Sequence, residues 1–199
     1  PKGAVIEHRS FCACAHHQIP IWGMTPSARM MQFASYAFDA SVFEILFPLM
    51  IGATTCILTE VERRDYLEVT MKRLRVTHAF LTPSVARQIS PPALRDLEVL
   101  VSGGEAVTRN DIAQWSGNVR FVQTYGPAEC TPFSTNQNLT TSSRPSDIGR
   151  PVGCVVWLVD HSNTERLAPV GGLGEILIEG PIVSRGYINN PAATDAAFI

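Results

Sequence analysis

Short apolar runs alternate with amphipathic stretches through the first 145 residues, a pattern typical of α/β proteins. Helices are expected between the strands, and strands that are separated by helices usually pair in parallel. The pattern therefore predicts a layered, mostly parallel sheet flanked by helices. The predicted strands are residues 30–36, 54–58, 78–81, 99–102 and 120–125.

Two stretches between these strands carry specific helix signals. Within residues 62–75, apolar side chains recur at i, i+4 and i+7 and form one stripe, with charged residues opposite. Ser41 and Glu44 have the spacing of a capping box, in which two side chains satisfy the first backbone N–H groups of a helix. The helix over residues 42–51 is therefore expected to begin at Ser41 and to end at Gly52.

The character of the sequence changes after residue 140. Residues 142–146 are rich in Ser, Arg and Pro and predict a loop. Beyond that loop, residues 154–159 and 175–179 predict two strands joined by a turn-rich connection. We therefore expect an α/β core over residues 1–145 and the start of a β-rich subdomain over residues 146–199.

The composition narrows the class of protein. Of the 199 residues, 45% are hydrophobic and 17% are charged, which is enough apolar material for a buried core. The net charge of -2, without a Lys- or Arg-rich run, argues against nucleic acid as a partner, because nucleic-acid binders need a basic surface. The longest apolar run is too short to span a bilayer, so no membrane partner is expected. Five cysteines without framework-like spacing indicate reduced thiols and a cytoplasmic protein.

Four potential metal ligands, Cys12, Cys14, His16 and His17, lie close together in the sequence. Cys12 and His16 would share one face of a helix. No second ligand pair follows at the spacing of a zinc site, so a structural role is favoured and no metal site is predicted there.

Asp39 lies at a junction between a predicted strand and a predicted helix. An aspartate at such a junction is commonly the N-cap of the helix. If Ser41 and Glu44 already cap the first turn, the Asp39 carboxylate is left beside apolar residues with no Lys or Arg nearby in sequence. Since an unpaired buried charge is costly, the ammonium group of a ligand is then a candidate partner. Both roles remain open at this point.

A second polar group follows the predicted strand at residues 120–125. The carboxyl ends of strands in open α/β sheets are where ligands bind. Tyr125 offers a ring for stacking, Gln123 an amide for the edge of a base, and Glu129 a hard oxygen for Mg²⁺. The paired glycines Gly103 and Gly104 would let a ligand approach the backbone. An ordinary Gly-Pro turn with an exposed glutamate is the alternative.

Several segments occur in the order of the core motifs of one enzyme superfamily. They resemble the motifs of the adenylate-forming, AMP-binding enzymes and, within these, the adenylation domains of nonribosomal peptide synthetases. The resemblance implies part of the large N-terminal subdomain of such an enzyme, of a kind common in fungi. The segments are Phe38-Asp39-Ala40-Ser41, residues 125–129, residues 174–180, residues 184–187 and, at the end of a phosphate-binding loop, Pro1-Lys2-Gly3.

The resemblance also implies an activity and its cofactors. In this family an amino acid and MgATP form an aminoacyl-AMP and pyrophosphate, and the aminoacyl group then passes to a phosphopantetheine thiol. The implied partners are the amino-acid substrate and the peptidyl carrier and condensation domains of the same megasynthetase. Because the motifs begin at the end of the phosphate loop and stop before the hinge, the resemblance implies a domain truncated at both ends and inactive by itself.

The family motifs assign roles to individual residues. By resemblance, Glu129 is the catalytic residue that holds Mg²⁺. The usual threonine of this motif is replaced by Ala128, which removes a hydroxyl group that normally contacts phosphate, and Gln123 replaces the commoner asparagine. The residues implied at the ATP site are Gly103, Gly104, Gln123, Tyr125, Gly126 and Ala128.

The resemblance further implies a substrate pocket in which Asp39 pairs with the α-ammonium group. Apart from Asp39 and Thr124 the pocket positions are apolar, so a polar substrate side chain would be penalised and an aliphatic one such as valine, isoleucine or leucine is expected. An aryl- or acyl-activating ligase and a degenerate, non-catalytic binding domain are the alternatives. The implied pocket residues are Asp39, Ala40, Phe43, Phe80, Val101, Gly103, Thr124, Pro132 and Phe133.

Overall fold

The computed structural model describes residues 3–199, so Pro1 and Lys2 of the first motif lie outside the described residues. The helices within this range are α1 (His8–Ile21), α2 (Ala40–Met50), α3 (Glu60–Asp65), α4 (Leu67–Arg73), α5 (Pro83–Ala86), α6 (Arg109–Trp115) and α7 (Pro191–Ala197). The strands are β1 (Arg29–Gln32), β2 (Thr54–Ile57), β3 (His78–Leu81), β4 (Val99–Ser102), β5 (Arg120–Tyr125), β6 (Thr135–Leu139), β7 (Arg150–Pro151), β8 (Val155–Asp160), β9 (Asn163–Leu167) and β10 (Glu175–Glu179).

Two compact units make up the chain. The large unit consists of Gln18–Tyr125 and Thr135–Arg150. The small unit consists of the residues up to His17, Gly126–Ser134 and Pro151–Ile199. Both units contain residues that the sequence predicts to be functional.

The sheet of the large unit has the strand order β2-β1-β3-β4-β5-β6-β7. Its first five strands are parallel and β6 is antiparallel to β5, which confirms the predicted α/β class with a mostly parallel sheet. The sequence analysis misses β6, because its residues TNQNL lack the apolar run by which the other strands are recognised.

The two faces of this sheet alternate along each strand. On one face Ala79, Leu81, Leu100 and Phe121 pack with helical side chains such as Trp115 in a continuous apolar core. On the other face, α2 packs against β1 and β2. The predicted pocket residues of β3 to β5, which are Phe80, Val101 and Thr124, also lie on this second face, because they alternate with the residues of the apolar core.

The α3–α4 region differs from the prediction of one helix over residues 62–75. Two short helices are separated at Tyr66, whose φ of -133° and ψ of 30° are not helical. A capping box begins α3, in which the Thr59 hydroxyl accepts from Glu62 N and the Glu62 carboxylate accepts from Thr59 N at 2.8 Å. The apolar periodicity continues across the break because α4 packs its Met71 into the same core.

The start of α2 corrects a second prediction, the capping box of Ser41 and Glu44. The helix begins at Ala40 with Asp39 as its N-cap, and the Ser41 hydroxyl donates to Phe38 O at 2.8 Å. Glu44 points into the protein and is 1% exposed. A capping partner must lie beside the first turn at the surface, whereas Glu44 is turned toward the end of β1.

The predicted strand at residues 30–36 is also too long, since β1 ends at Gln32. The backbone N–H groups of Phe33 and Ala34 donate to Glu44 Oε2 at 2.9 and 2.8 Å. They are therefore satisfied by a helix side chain, and the strand ends where these bonds begin. The other four predicted strands of this sheet agree with β2 to β5 to within one residue.

The small unit contains an antiparallel sheet of order β10-β8-β9. The strands predicted at residues 154–159 and 175–179 correspond to β8 and β10. The connection between them was predicted to be turn-rich, but it contains β9, whose residues NTERL are polar and exposed. Among residues 3–199, no helix combines the length and the hydrophobicity needed to cross a membrane.

Candidate functional site

Four predicted pocket residues of the large unit meet at the carboxyl ends of β3, β4 and β5. Phe80 and Val101 are paired in register on neighbouring strands, and a Cβ placed on Gly103 would lie 2.8 Å from Thr124 O and 3.5 Å from Phe80 Cε2. Val101, Gly103 and Thr124 are buried, and Phe80 is half-buried. The absence of a side chain at Gly103 therefore keeps open the space between Phe80 and Thr124.

The residues predicted to bind the adenine lie along the same strand ends. Gln123 is 6% exposed and alternates with Thr124, so the two side chains lie on opposite faces of β5. Its Oε1 has no hydrogen-bond partner among residues 3–199. Tyr125 ends the strand with its ring 40% exposed, and Gly104 is exposed with a φ of +80°. A buried, unpartnered amide oxygen beside an exposed aromatic ring fits a ligand with hydrogen-bond donors on a planar edge.

Asp39 precedes the helix that covers the pocket face of this sheet. Its Oδ1 accepts from Ala40 N at 2.8 Å, so the structure assigns it the role of N-cap. The residue is exposed, whereas Ala40 and Phe43 on the following turn are 9% and 3% exposed. A carboxylate has about four lone-pair sites, so capping leaves it able to bind a ligand ammonium group as well. That second role remains a prediction.

Glu44 is a buried acid of the large unit. Its Oε2 accepts from Phe33 N, Ala34 N and, at 3.2 Å, Gln32 Nε2. Burial raises the pKa of Glu44 to about 8, against the opposing effects of these hydrogen bonds and of the Arg63 charge. The sequence analysis treated Glu44 as an exposed cap partner, since the pattern at residues 41–44 cannot reveal an inward-pointing side chain.

Glu129 lies in the small unit, in a short 3₁₀ turn at Ala128–Cys130. The Tyr187 hydroxyl donates to its carboxylate, and Ser184 N donates to its backbone oxygen at 2.8 Å. Thr131 follows the turn with a φ of 57°, unusual for a β-branched residue, and its hydroxyl donates to Ile182 O at 2.5 Å. The segment that follows β10 therefore holds the turn that carries Glu129.

Three further predicted residues, Gly126, Pro132 and Phe133, flank this turn, and a fourth, Ala128, lies in it. A Cβ on Gly126 would lie 2.0 Å from Pro132 O, so only glycine fits there. Pro132 and Phe133 are buried within the small unit. Ala128 is exposed and carries no hydroxyl group, so its backbone is all that it offers to a phosphate.

The environment of Glu129 is compatible with a role as a magnesium ligand. Among the described residues, no three His, Cys, Asp or Glu side chains come together to form a metal site. Mg²⁺ is commonly held by one or two carboxylates together with the phosphates of a substrate, so a single half-buried carboxylate fits this mode. Sequence reasoning assigned no role to Tyr187, whose contact with Glu129 spans 58 residues.

The four Cys and His residues at positions 12–17 of α1 differ in burial and, within the part of the chain that the structure describes, do not form a set of metal ligands. Cys14 is 1% exposed, and burial raises the pKa of its thiol to about 12. Cys12 is exposed on the same helix, and His16 and His17 stack edge to face with ring centroids 5.2 Å apart. A protonated, buried thiol is a poor metal ligand.

Comparisons with known proteins place these features in context. The sequence profile described as "AMP-binding enzyme" matches residues 1–188. The chain is 74% identical over 200 residues to the nonribosomal peptide synthetase opaA of Aspergillus ustus and 45% identical over 200 residues to the nonribosomal peptide synthetase lenA of Aspergillus lentulus. Both alignments cover 100% of the chain but only 5% and 4% of these relatives.

A solved structure has the same fold. The crystal structure of the nonribosomal peptide synthetase FmoA3 superposes with a TM-score of 0.90 and 23% identity, over 100% of the chain and 23% of the solved protein. At this level of identity the similarity concerns the fold alone. It confirms the predicted fold, the mixed α/β architecture with a following antiparallel sheet.

Proposed function

The chain belongs to the AMP-binding enzyme family, and on that premise we propose that it is part of an adenylation domain that activates an amino acid with ATP. In this reaction a carboxylate oxygen of the amino acid attacks the α-phosphorus, the bond to pyrophosphate breaks, and an aminoacyl-AMP forms. The relatives opaA and lenA are nonribosomal peptide synthetases, which supports this proposal. Transfer to a phosphopantetheine thiol, with carrier and condensation domains as partners, is the proposed next step.

The observation that carries the proposal is the exposed carboxylate of Asp39 at the first turn of α2. The next pocket residues, Ala40 and Phe43, are apolar and buried, so Asp39 is the acid at the edge of an apolar lining. An ammonium group of an amino acid pairs with such a carboxylate, whereas an aryl or fatty acid offers no cation to it. The position of Asp39 therefore favours an amino acid.

ATP is proposed to bind at the carboxyl ends of β4 and β5. The exposed ring of Tyr125 offers a stacking surface for adenine, and the unpartnered Oε1 of Gln123 accepts a hydrogen bond from an exocyclic amino group. Gly103 and Gly104 leave the backbone accessible beside them. These three features are what the chain itself contributes to base recognition.

Glu129 is proposed to hold the magnesium ion of MgATP. When bound, the ion neutralises charge that develops on the phosphates. Tyr187 and Ser184 orient Glu129, whereas Ala128 offers a phosphate only its backbone where the family has a threonine hydroxyl. Because the proposed catalysis depends on positioning and charge neutralisation, the loss of one hydroxyl is expected to reduce the rate without abolishing it.

The finer proposal concerns the amino acid. Phe80 and Phe43 narrow the proposed pocket, Val101 lines it, and Gly103 keeps its base open. The predicted pocket lining contains no amide and no charged group besides Asp39, so a polar side chain of the substrate would find neither as a partner there. We therefore propose valine, isoleucine or leucine, with discrimination among them limited to about 1–3 kcal/mol per methylene group.

The experiment is amino-acid-dependent exchange of labelled pyrophosphate into ATP by the complete adenylation domain. The panel contains all proteinogenic amino acids, two aryl acids and two short fatty acids. The strongest exchange is expected with valine, isoleucine or leucine. An Asp39→Ala variant is expected to lose at least about 10-fold in kcat/KM, because a charge-assisted contact is removed.

A matched control separates recognition from folding. Asp39→Asn keeps a side-chain oxygen for the helix cap but removes the charge, so it is expected to fold like the wild type and still to lose activity. Exchange with aryl or fatty acids alone would contradict the role of Asp39. A folded domain that is silent across the panel would contradict the catalytic proposal and favour a non-catalytic binding domain.

A further inference from the structure

A buried polar network lies beneath the loop that carries Asp39. Glu44 and Gln32 are 1% and 0% exposed. Besides donating to Glu44, Gln32 Nε2 donates to Ala34 O at 2.6 Å, and Arg63 Nη2 donates to Gln32 Oε1 at 3.3 Å. The network therefore joins the end of β1, the loop and α2, with α3 at its margin.

Asp39 lies midway in sequence between Ala34 and Glu44, which this network brings together. Both ends of the segment that contains Asp39 are therefore held by the same carboxyl group. One end is the pair of backbone N–H groups that leave the sheet, and the other is the helix that begins at Ala40. The connection is short enough that a shift of α2 along β1 would move Asp39 with it.

Another hydrogen bond joins α2 to the sheet, from Thr55 Oγ1 on β2 to Ile45 O at 3.4 Å, and apolar packing of the α2 aromatic rings adds to it. Phe43 and Phe47 stack at 5.2 Å, and Phe47 packs against Trp22 at 5.4 Å. Apolar packing is non-directional, so it holds the helix against the sheet without defining its rotation closely. Hydrogen bonds to two consecutive N–H groups are directional and act over a narrow range of distances. They are the contacts that define where the first turn of α2 lies.

We propose that Glu44 is a positioning residue for amino-acid recognition, whose buried carboxyl group links the backbone after β1 to α2 and thereby places Asp39. The inference rests on the proposed function, because it assigns Asp39 to the substrate ammonium group. Glu44 itself is buried and does not contact the substrate. Its effect is exerted through the first turn of α2, which also carries Ala40 and Phe43.

The chemistry of the site favours this role over simple packing. A buried acid is costly, and apolar side chains of similar size would hold a helix at least as well. One oxygen of Glu44, Oε1, has no hydrogen-bond partner in residues 3–199, so the carboxyl group is not fully compensated. What an apolar side chain cannot supply is an acceptor for Phe33 N and Ala34 N at a defined place.

The test compares four forms of the complete domain: wild type, Glu44→Gln, Glu44→Asp and Glu44→Leu. The amide oxygen of Gln accepts the same two backbone N–H groups, so this variant is expected to retain the wild-type KM for the amino acid. Asp is too short to reach them and Leu has no acceptor. Both are expected to raise that KM by about 10-fold or more, with the KM for ATP unchanged, because small displacements of positioning groups have large effects.

Repeating the Glu44→Leu substitution in a domain that lacks the Asp39 carboxylate shows whether Glu44 acts through Asp39. In an Asp39→Ala domain, Glu44→Leu is expected to raise the KM for the amino acid by a clearly smaller factor than in the domain that keeps Asp39, because residues that act through one contact are not additive. The matched control is Asp111→Asn, which changes another buried carboxylate, on α6. This variant is expected to leave both KM values unchanged. A rise in both KM values with Glu44→Leu, or an undiminished effect in the Asp39→Ala background, would overturn the proposal.

Amide hydrogen exchange provides a readout that does not depend on activity. Glu44→Asp and Glu44→Leu are expected to accelerate exchange at the first turn of α2 and at Phe33 and Ala34, and to leave β3 to β5 protected. Unchanged protection at these amides would overturn the positioning role even if no substrate were found. Failure of the proposed function is recognised separately, by the absence of amino-acid-dependent exchange in the wild-type domain.

Discussion

At the scale of single residues, Glu129 is oriented by a segment that is distant in sequence. Tyr187 donates to its carboxylate and Ser184 N to its backbone oxygen. The Tyr187 ring also packs edge to face against Phe198, with centroids 5.6 Å apart. Groups that orient a metal ligand affect metal affinity even though they do not contact the metal, so these contacts bear on the magnesium role that we propose for Glu129.

Removal of the Tyr187 hydroxyl tests this orientation. Tyr187→Phe is expected to raise the Mg²⁺ concentration that gives half-maximal exchange by about 10-fold, because the Glu129 carboxylate loses its donor. The ring remains packed, so the melting temperature should change little. Binding of Mn²⁺ with a non-hydrolysable ATP analogue, followed by electron paramagnetic resonance, measures the same effect without turnover.

The matched control for that variant is Tyr66→Phe, at an exposed tyrosine of the large unit. This control is expected to show the magnesium dependence of the wild type. If Tyr187→Phe shows it as well, the hydroxyl group has no part in orienting Glu129.

At the scale of elements, α6 is held at its start by one buried carboxylate. Asp111 Oδ2 accepts from Thr108 N at 2.7 Å and Asp111 N donates to Thr108 Oγ1 at 3.3 Å, which forms a capping box. Arg87 adds two bonds to the same carboxylate at 2.7 and 2.9 Å. Burial acts to raise the pKa of Asp111, but the bonds from Arg87 and Thr108 outweigh it and lower the pKa.

Asp111→Asn removes the charge from this arrangement. Because Arg87 is 43% exposed, solvent screens the ion pair, and the expected loss is about 1–3 kcal/mol in the free energy of unfolding. The stabilisation is present above the usual pKa of aspartate and is lost as the pH falls through the lowered value. Urea unfolding at pH 7 and pH 3 measures both effects, with Asp65→Asn as a control at an exposed site. Equal losses in the two variants would contradict the prediction.

Carboxylate groups also define the start of α3 and the end of β1. Thr59 and Glu62 cap α3, and Glu44 ends β1 by accepting its next two backbone N–H groups. In each case side-chain oxygens satisfy backbone donors that have no partner in the strand or helix itself. The boundaries of α3, α6 and β1 are therefore defined by side chains.

At the scale of the whole molecule, the raised pKa of Glu44 predicts how stability depends on pH. In the unfolded chain Glu44 has its ordinary pKa of 4.5, whereas in the folded protein its pKa is about 8. Between these values the folded state binds more protons than the unfolded state, so stability falls as the pH rises. The positive charge of Arg63 lowers the pKa of Glu44, but its effect is smaller than that of burial.

The measurement is the melting temperature of the wild type and of Glu44→Gln between pH 5 and pH 8.5. Glutamine does not titrate, so the wild type is expected to lose stability relative to this variant across that window, and the difference should level off above about pH 8. Parallel curves for the two proteins would show that Glu44 titrates near its ordinary pKa.

The sequence alone determined where β2 to β5 of the parallel sheet lie. The predicted boundaries at β3, β4 and β5 agree with the structure, because strands that are buried on both faces are rich in apolar residues. Strands β6 and β9 could not be predicted in this way. They are polar, and their pairing with β5 and β8 decides their structure.

Part of the candidate site was also readable from the sequence. The resemblance to the family implied Phe80, Gly103 and Thr124 as pocket residues, and the structure brings them together because parallel strands place their carboxyl ends at one edge. Asp39 was singled out, but the sequence could not decide between cap and ligand. The structure shows that Asp39 is the N-cap of α2.

Only the tertiary structure decided which partners the acidic side chains have. The spacing of Ser41 and Glu44 fits a capping box, yet Glu44 is turned inward because the backbone that leaves β1 needs an acceptor. The contact of Glu129 with Tyr187 depends on how the segment after β10 returns to the turn. Local spacing predicts elements because they follow from neighbouring residues, whereas these hydrogen bonds join positions that only the folded chain brings together.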